Sequence, residues 1–123
     1  MLAALNRIII FVGDVEKCGA FFRDLFDLEI IEDSHMPGEW LELNGGGCSL
    51  AFHKAFGPNG PIDTPTGSPG HPHKIVFHAE DVEAMREELI RRGAEMGEIN
   101  RFGDVALCDG ADPEGHRFQI SSR

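Results

Sequence analysis

Three observations predict an α+β fold built from two βαβββ modules in tandem. The first is an internal repeat at an offset of 67, in which Arg7-Ile-Ile-Ile-Phe-Val-Gly-Asp14-Val15-Glu16 lies over Lys74-Ile-Val-Phe-His-Ala-Glu-Asp81-Val82-Glu83. The second is the content of each copy, a β-branched apolar run that ends at an Asp and passes into a helical pattern. The third is that each helical pattern gives way to three short apolar stretches separated by Gly-rich turns.

The run from Arg7 to Val12 reads as a strand, and so does its copy from Lys74. Asp14 and Asp81 are suited to cap the helices next in the chain, because a short side-chain oxygen accepts from the unpaired N–H groups of a first turn, while Glu16 and Glu83 sit near the positive end of the dipole. Val15, Cys18, Phe22, Leu25 and Phe26 form the apolar stripe of the first helix; Val82, Met85, Leu89 and Ile90 form that of the second, which Gly93 stops. Strands are predicted at Glu29–Glu32, Glu39–Asn44 and Cys48–His53, then at Glu95–Ile99, Val105–Cys108 and Arg117–Ser121. Asp112-Pro113-Glu114-Gly115 before the last strand is a turn, since Pro presets the dihedral of its second residue and Gly accepts a positive one.

The 123 residues, 41% apolar and 26% charged, suit a single domain. Module one spans about 5–54 and module two about 73–121, joined by a loop at 55–72 whose Pro and Gly content excludes a helix or an internal strand. A net charge of −10 argues against nucleic acid and anionic membrane as partners. The apolar run Ile8–Val12 is far too short to span a bilayer, and Met1–Arg7 lacks the layout of a secretory signal, so a cytoplasmic location is expected. Cys18, Cys48 and Cys108 have neither metal-ligand spacing nor an even count, as expected for idle or buried thiols.

The duplicated βαβββ module, the Asp-Val pair opening each helix and the segment Asp112-Pro113-Glu114-Gly115-His116 together resemble the vicinal oxygen chelate superfamily. That superfamily holds lactoylglutathione lyases, extradiol dioxygenases, methylmalonyl-CoA epimerases, fosfomycin-modifying enzymes and bleomycin resistance proteins. The resemblance runs from about Leu5 to Ser121 and implies a cleft of two curled sheets, in which enzyme members bind one divalent metal. It also implies ligand positions at the start of the first strand and in the last strand of each module. These fall on Arg7, Lys74, Gln119 and Ala51, or on Phe52 in place of Ala51 after a slip of one residue. Guanidinium has no lone pair to give, and Lys would have to lose its proton. No metal and no other cofactor is therefore expected at the family's usual site.

Strand alternation places Arg7, Ile9 and Phe11, Ser49, Ala51 and His53, Lys74, Val76 and His78, and Arg117, Gln119 and Ser121 on the cleft face. The candidate ligand-binding residues are thus Arg7, Phe11, His53, Lys74, His78, Arg117 and Gln119. Their cations favour an anionic or carboxylate-bearing small molecule. The competing expectation is that Glu42, Glu39 or other carboxylates neutralise Arg7 and Lys74 as ion pairs bridging the modules, with Arg117 at the surface. Trp40, with Phe52, Phe56 and Phe102, either forms an aromatic wall for a planar ligand or belongs to the core or a dimer contact. His35 and His116 are expected to be solvated in turns.

Three functions are compatible with these residues. The leading one is a metal-free small-molecule binding protein, similar to the bleomycin resistance branch and, as the resemblance implies, a homodimer. The second is a lyase, isomerase or epimerase that uses acid and base groups, or a displaced divalent metal held by His53, His73 and His78, with His71 as a further histidine nearby in sequence. The third is a structural dimerisation module.

Overall fold

The structure is a computed structural model that describes residues 1–61 and 73–123. The chain forms two compact units, Met1–Pro65 and Thr66–Arg123. The part of the predicted loop at 62–72, with His71, lies outside the described residues.

The first unit opens with β1 (Arg7–Val12), α1 (Val15–Phe26) and β2 (Glu29–Ile30). After a single 3-10 turn at Glu32–Ser34 come β3 (Trp40–Asn44) and β4 (Ser49–Lys54). These strands form one sheet in the order β1-β4-β3-β2. Strand β1 runs parallel to β4 with Arg7 opposite Ser49, Ile9 opposite Ala51 and Phe11 opposite His53. Strand β3 runs antiparallel to β4 with Trp40 opposite His53 and Glu42 opposite Ala51.

Alternation therefore sends Leu41, Leu43, Leu50 and Phe52 to the face that α1 covers, where all four are buried. Phe22 of α1 stacks on Phe52 at 5.6 Å, and both rings are fully buried, each worth about 2–3 kcal/mol. The opposite, open face carries Arg7, Ile9, Phe11, Trp40, Glu42 and His53. Asp14 caps α1 as predicted: its Oδ1 accepts from the Lys17 N–H at 3.0 Å. Gly19 is needed where α1 crosses β3, because a Cβ there would lie 2.7 Å from Cδ2 of the buried Leu41.

The joining segment, expected to hold no helix or internal strand, contains one short two-stranded ribbon. Phe56–Gly57 (β5) pairs with Gly60–Pro61 (β6) as a two-stranded ribbon, with Pro61 at its end where no ladder donor is needed.

The second unit repeats the plan of the first with β7 (Ile75–His78), α2 (Val82–Arg91), β8 (Glu95–Phe102), β9 (Val105–Ala111) and β10 (Arg117–Ser121), in the order β7-β10-β9-β8. Asp81 accepts from the Ala84 N–H at 3.0 Å. Strand β10 pairs with β7 and β9 so that Gln119 stands opposite both Val76 and Asp109. Phe118 and Ile120 turn to the helix side and are fully buried. Asp112 closes the β9–β10 turn as an i to i+3 turn, with the Gly115 N–H donating to the Asp112 carbonyl at 3.0 Å and Gly115 at φ 85°.

Element boundaries differ from expectation by more than one residue in three strands. Strand β2 stops at Ile30, because the Glu32–Ser34 turn begins there, whereas β8 and β9 run on to Phe102 and Ala111. Ile90 is 44% exposed and lies outside the buried stripe of α2, which Val82 and Leu89 form. Among the described residues, no helix is long and apolar enough to cross a membrane.

Candidate functional site

Arg7 enters the open face of the first sheet from the start of β1. Its Nε donates to Glu42 Oε2 at 2.8 Å, and its guanidinium lies 5.5 Å from the centre of the Trp40 ring. Glu42 is 5% exposed and also accepts from the hydroxyls of Ser49 and Ser34. Burial pushes its carboxyl up, but the hydrogen bonds from Ser49, Arg7 and Ser34, together with the Arg7 charge, outweigh burial and hold it below the usual range.

The second unit repeats this arrangement. Lys74 Nζ donates to both carboxylate oxygens of Asp109, at 3.2 and 3.1 Å. Gln119 Nε2 donates to Asp109 Oδ1 at 2.9 Å, and Arg117 lies 3.9 Å from Oδ2. Each cation is thus paired within its own module, so the expectation of ion pairs bridging the modules is corrected. The strand registers align Ile9–Ala51–Glu42 with Val76–Gln119–Asp109. They select Ala51, not Phe52, as the counterpart of Gln119.

The expectation of an anionic ligand depends on Arg7 and Lys74 as available cations. Both are paired to carboxylates, Arg7 through Nε and Lys74 through Nζ, and both side chains stay partly exposed. Arg117 is 53% exposed at its side chain, as its surface reading expects.

A different cluster forms at the other end of the first open face. His53 lies 5.3 Å from the Phe11 ring, 5.9 Å from Trp40 and 6.2 Å from Phe56, measured between ring centres. With Ser34, Met36 and Glu39, the Trp40, His53 and Phe56 side chains line an open groove of about 580 Å³. Phe52 is not part of this wall, since β4 turns it to the helix side. The groove's rim is braced by Glu16 of α1, which accepts from the Gly38 N–H at 2.9 Å and bonds His35 Nε2 at 3.0 Å. His35 is therefore not simply solvated.

His116 corrects its expectation in the same way. Its side chain is 16% exposed, and Nδ1 bonds Asp112 Oδ2 at 2.9 Å. That hydrogen bond and the carboxylate charge raise its pKa against the effect of burial. Sequence reasoning missed this pair, although the i, i+4 spacing of Asp112 and His116 across a turn was a usable signal.

The cofactor question turns on chemistry. A divalent ion at the family's positions would meet a guanidinium, an ammonium, a methyl group and an amide whose nitrogen is turned to Asp109. Glu42 and Asp109 could serve only after losing their cations. The residues do not fit a metal at that place. Among the described residues no group of three or more His, Cys, Asp or Glu is placed to hold a metal ion.

The family model for the Glyoxalase/Bleomycin resistance protein/Dioxygenase superfamily matches residues 4–120. The chain belongs to this superfamily. No curated protein sequence matches it. Among solved structures of the superfamily's fold, a glyoxalase/bleomycin resistance protein/dioxygenase family enzyme from Burkholderia phytofirmans PsJN superposes with a TM-score of 0.76 at 18% identity, covering 97% of this chain and 98% of that one. TnmS3, an antibiotic binding protein from Streptomyces sp. CB03234, gives 0.73 at 21% identity, over 97% and 94%. Lactoylglutathione lyase from Agrobacterium tumefaciens gives 0.73 at 17% identity, over 97% and 92%. At these identities the likeness shows the fold, and the superfamily's scaffold is what the three share with this chain.

Proposed function

We propose that the protein is a metal-independent small-molecule binding protein of this superfamily, which holds its ligand on the open face of the first module without transforming it. One observation carries the reading: Arg7 occupies a ligand position and is ion-paired to the buried Glu42, an arrangement repeated by Lys74 and Asp109. In a charge-balanced wall of this kind the carboxylate lone pairs are already taken by the cations and by neighbouring donors, so a metal ion would have to displace them. The description of TnmS3 as an antibiotic binding protein supports binding as a use of this scaffold. The homodimer implied by the resemblance belongs to the same proposal and is checked by light scattering.

The test is metal content after incubation with Mn, Fe, Ni and Zn ions, desalting and mass spectrometry. Well below one ion per chain is expected. Retention of about one ion per chain, lost in His53→Ala or His73→Ala, would overturn the reading in favour of an enzyme.

A further inference from the structure

The His53 ring is oriented by the backbone. Its Nδ1 lies 2.7 Å from the Lys54 carbonyl oxygen, which can only accept, so Nδ1 carries the hydrogen. In the neutral ring the lone pair then sits on Nε2. Among the described residues Nε2 has no hydrogen-bond partner. An acceptor is therefore presented within a surround of Phe11, Trp40 and Phe56.

The charges around the groove point the same way. The Arg7 guanidinium near Trp40 is bound to Glu42, and Lys54 Nζ donates to the Gly13 carbonyl at 2.7 Å. Glu39 places a carboxylate on the lining. An anion would meet that carboxylate and a ring nitrogen lone pair, with the Arg7 charge balanced by Glu42 and Lys54 Nζ bound to the Gly13 carbonyl. A neutral or cationic ligand that carries a donor meets none of these penalties.

We propose that His53 is the specificity residue of this groove, its Nε2 accepting a hydrogen bond from an N–H or O–H group on a planar ring that packs against Trp40 and Phe56. The proposal rests on the binding reading above and gives its site a ligand class.

Trp40 is the sole Trp, so its indole N–H gives one isolated signal in a nitrogen-15 correlation spectrum. Titrations at pH 8 compare three probes: indole, which has a donor; 1-benzothiophene, of the same shape without one; and 2-naphthoate, an anion. Indole is expected to bind about fivefold tighter than 1-benzothiophene, with 2-naphthoate weakest. In His53→Phe, which keeps a ring and loses the acceptor, the two neutral probes should bind alike; His53→Gln, which restores an acceptor, should recover part of the preference. Equal binding of indole and 1-benzothiophene to the wild type overturns the proposal without reference to any variant. So does a preference that survives in His53→Phe, or 2-naphthoate binding tightest. If no probe moves the Trp40 signal, the groove assignment falls, and the metal measurement separately decides the binding reading.

Discussion

Glu42 and Asp109 occupy the same place in the two modules, 67 residues apart; Glu42 pairs with Arg7, the first residue of β1, and Asp109 with Lys74, the residue just before β7. The copies differ in solvation. The Glu42 side chain is 6% exposed, against 30% for Asp109.

Removing the cation should therefore have unequal effects. Arg7→Ala leaves a buried carboxylate supported by two hydroxyls and is expected to cost about 2–3 kcal/mol, below the full value for a buried pair because Arg7 itself is partly exposed. Lys74→Ala should cost less than about 1 kcal/mol. Urea unfolding measures both, and equal losses would refute the difference in solvation.

The Glu42 carboxyl is held below its ordinary value near 4.5. A depressed carboxyl contributes stability above its unfolded value, and that contribution is lost as pH falls through the folded one. Calorimetry should show wild type melting well above Glu42→Gln at pH 6, with the gap closing as the pH is lowered from 4.5 toward 3.

His116 works in the opposite direction. Its folded pKa lies above the ordinary value of 6.5, so its stabilisation is fully present below 6.5 and is lost as pH rises through the folded value. The melting difference between wild type and His116→Gln should be largest near pH 6 and smaller at pH 9. It should not vanish, because a neutral ring still donates from Nδ1 to Asp112. A gap that widens with pH would contradict the assignment.

Gly110 of β9 faces the helix side, where an added Cβ would lie 2.5 Å from Phe118 Cζ and 2.7 Å from Met96 Sδ. Phe118 is fully buried. Gly110→Ala is expected to cost about 1–3 kcal/mol in urea unfolding. An unchanged midpoint would show that the Met96 side chain can give way.

Local features of the fold were legible in the sequence because their causes are local. The Asp14 and Asp81 caps, the helix stripes and the Asp112 turn depend on neighbours within a few residues, and the repeat linked the two halves. Glu42 was named in the sequence as one carboxylate that could neutralise Arg7, but the choice of Glu42 over Glu39 spans 35 residues and depends on the register of three strands, which periodicity does not give. Phe52 is different: once His53 is assigned to the open face, alternation already sends Phe52 to the other side. The aromatic groove was only half legible for that reason, with Trp40, His53 and Phe56 named but in two separate groups. His116 was missed because its partner lies across a turn that was read for its backbone alone.

Leu41 sits between Trp40 and Glu42 in β3, and Gly19 of α1 leaves the space that its side chain fills from behind. Helix and open face are thus separated by the thickness of one strand. A substitution at position 19 would touch no residue of the groove, yet it would press on the strand that carries both the ring and the carboxylate. Such a change should be screened as a remote modulator of binding, because its influence is mechanical and crosses the sheet.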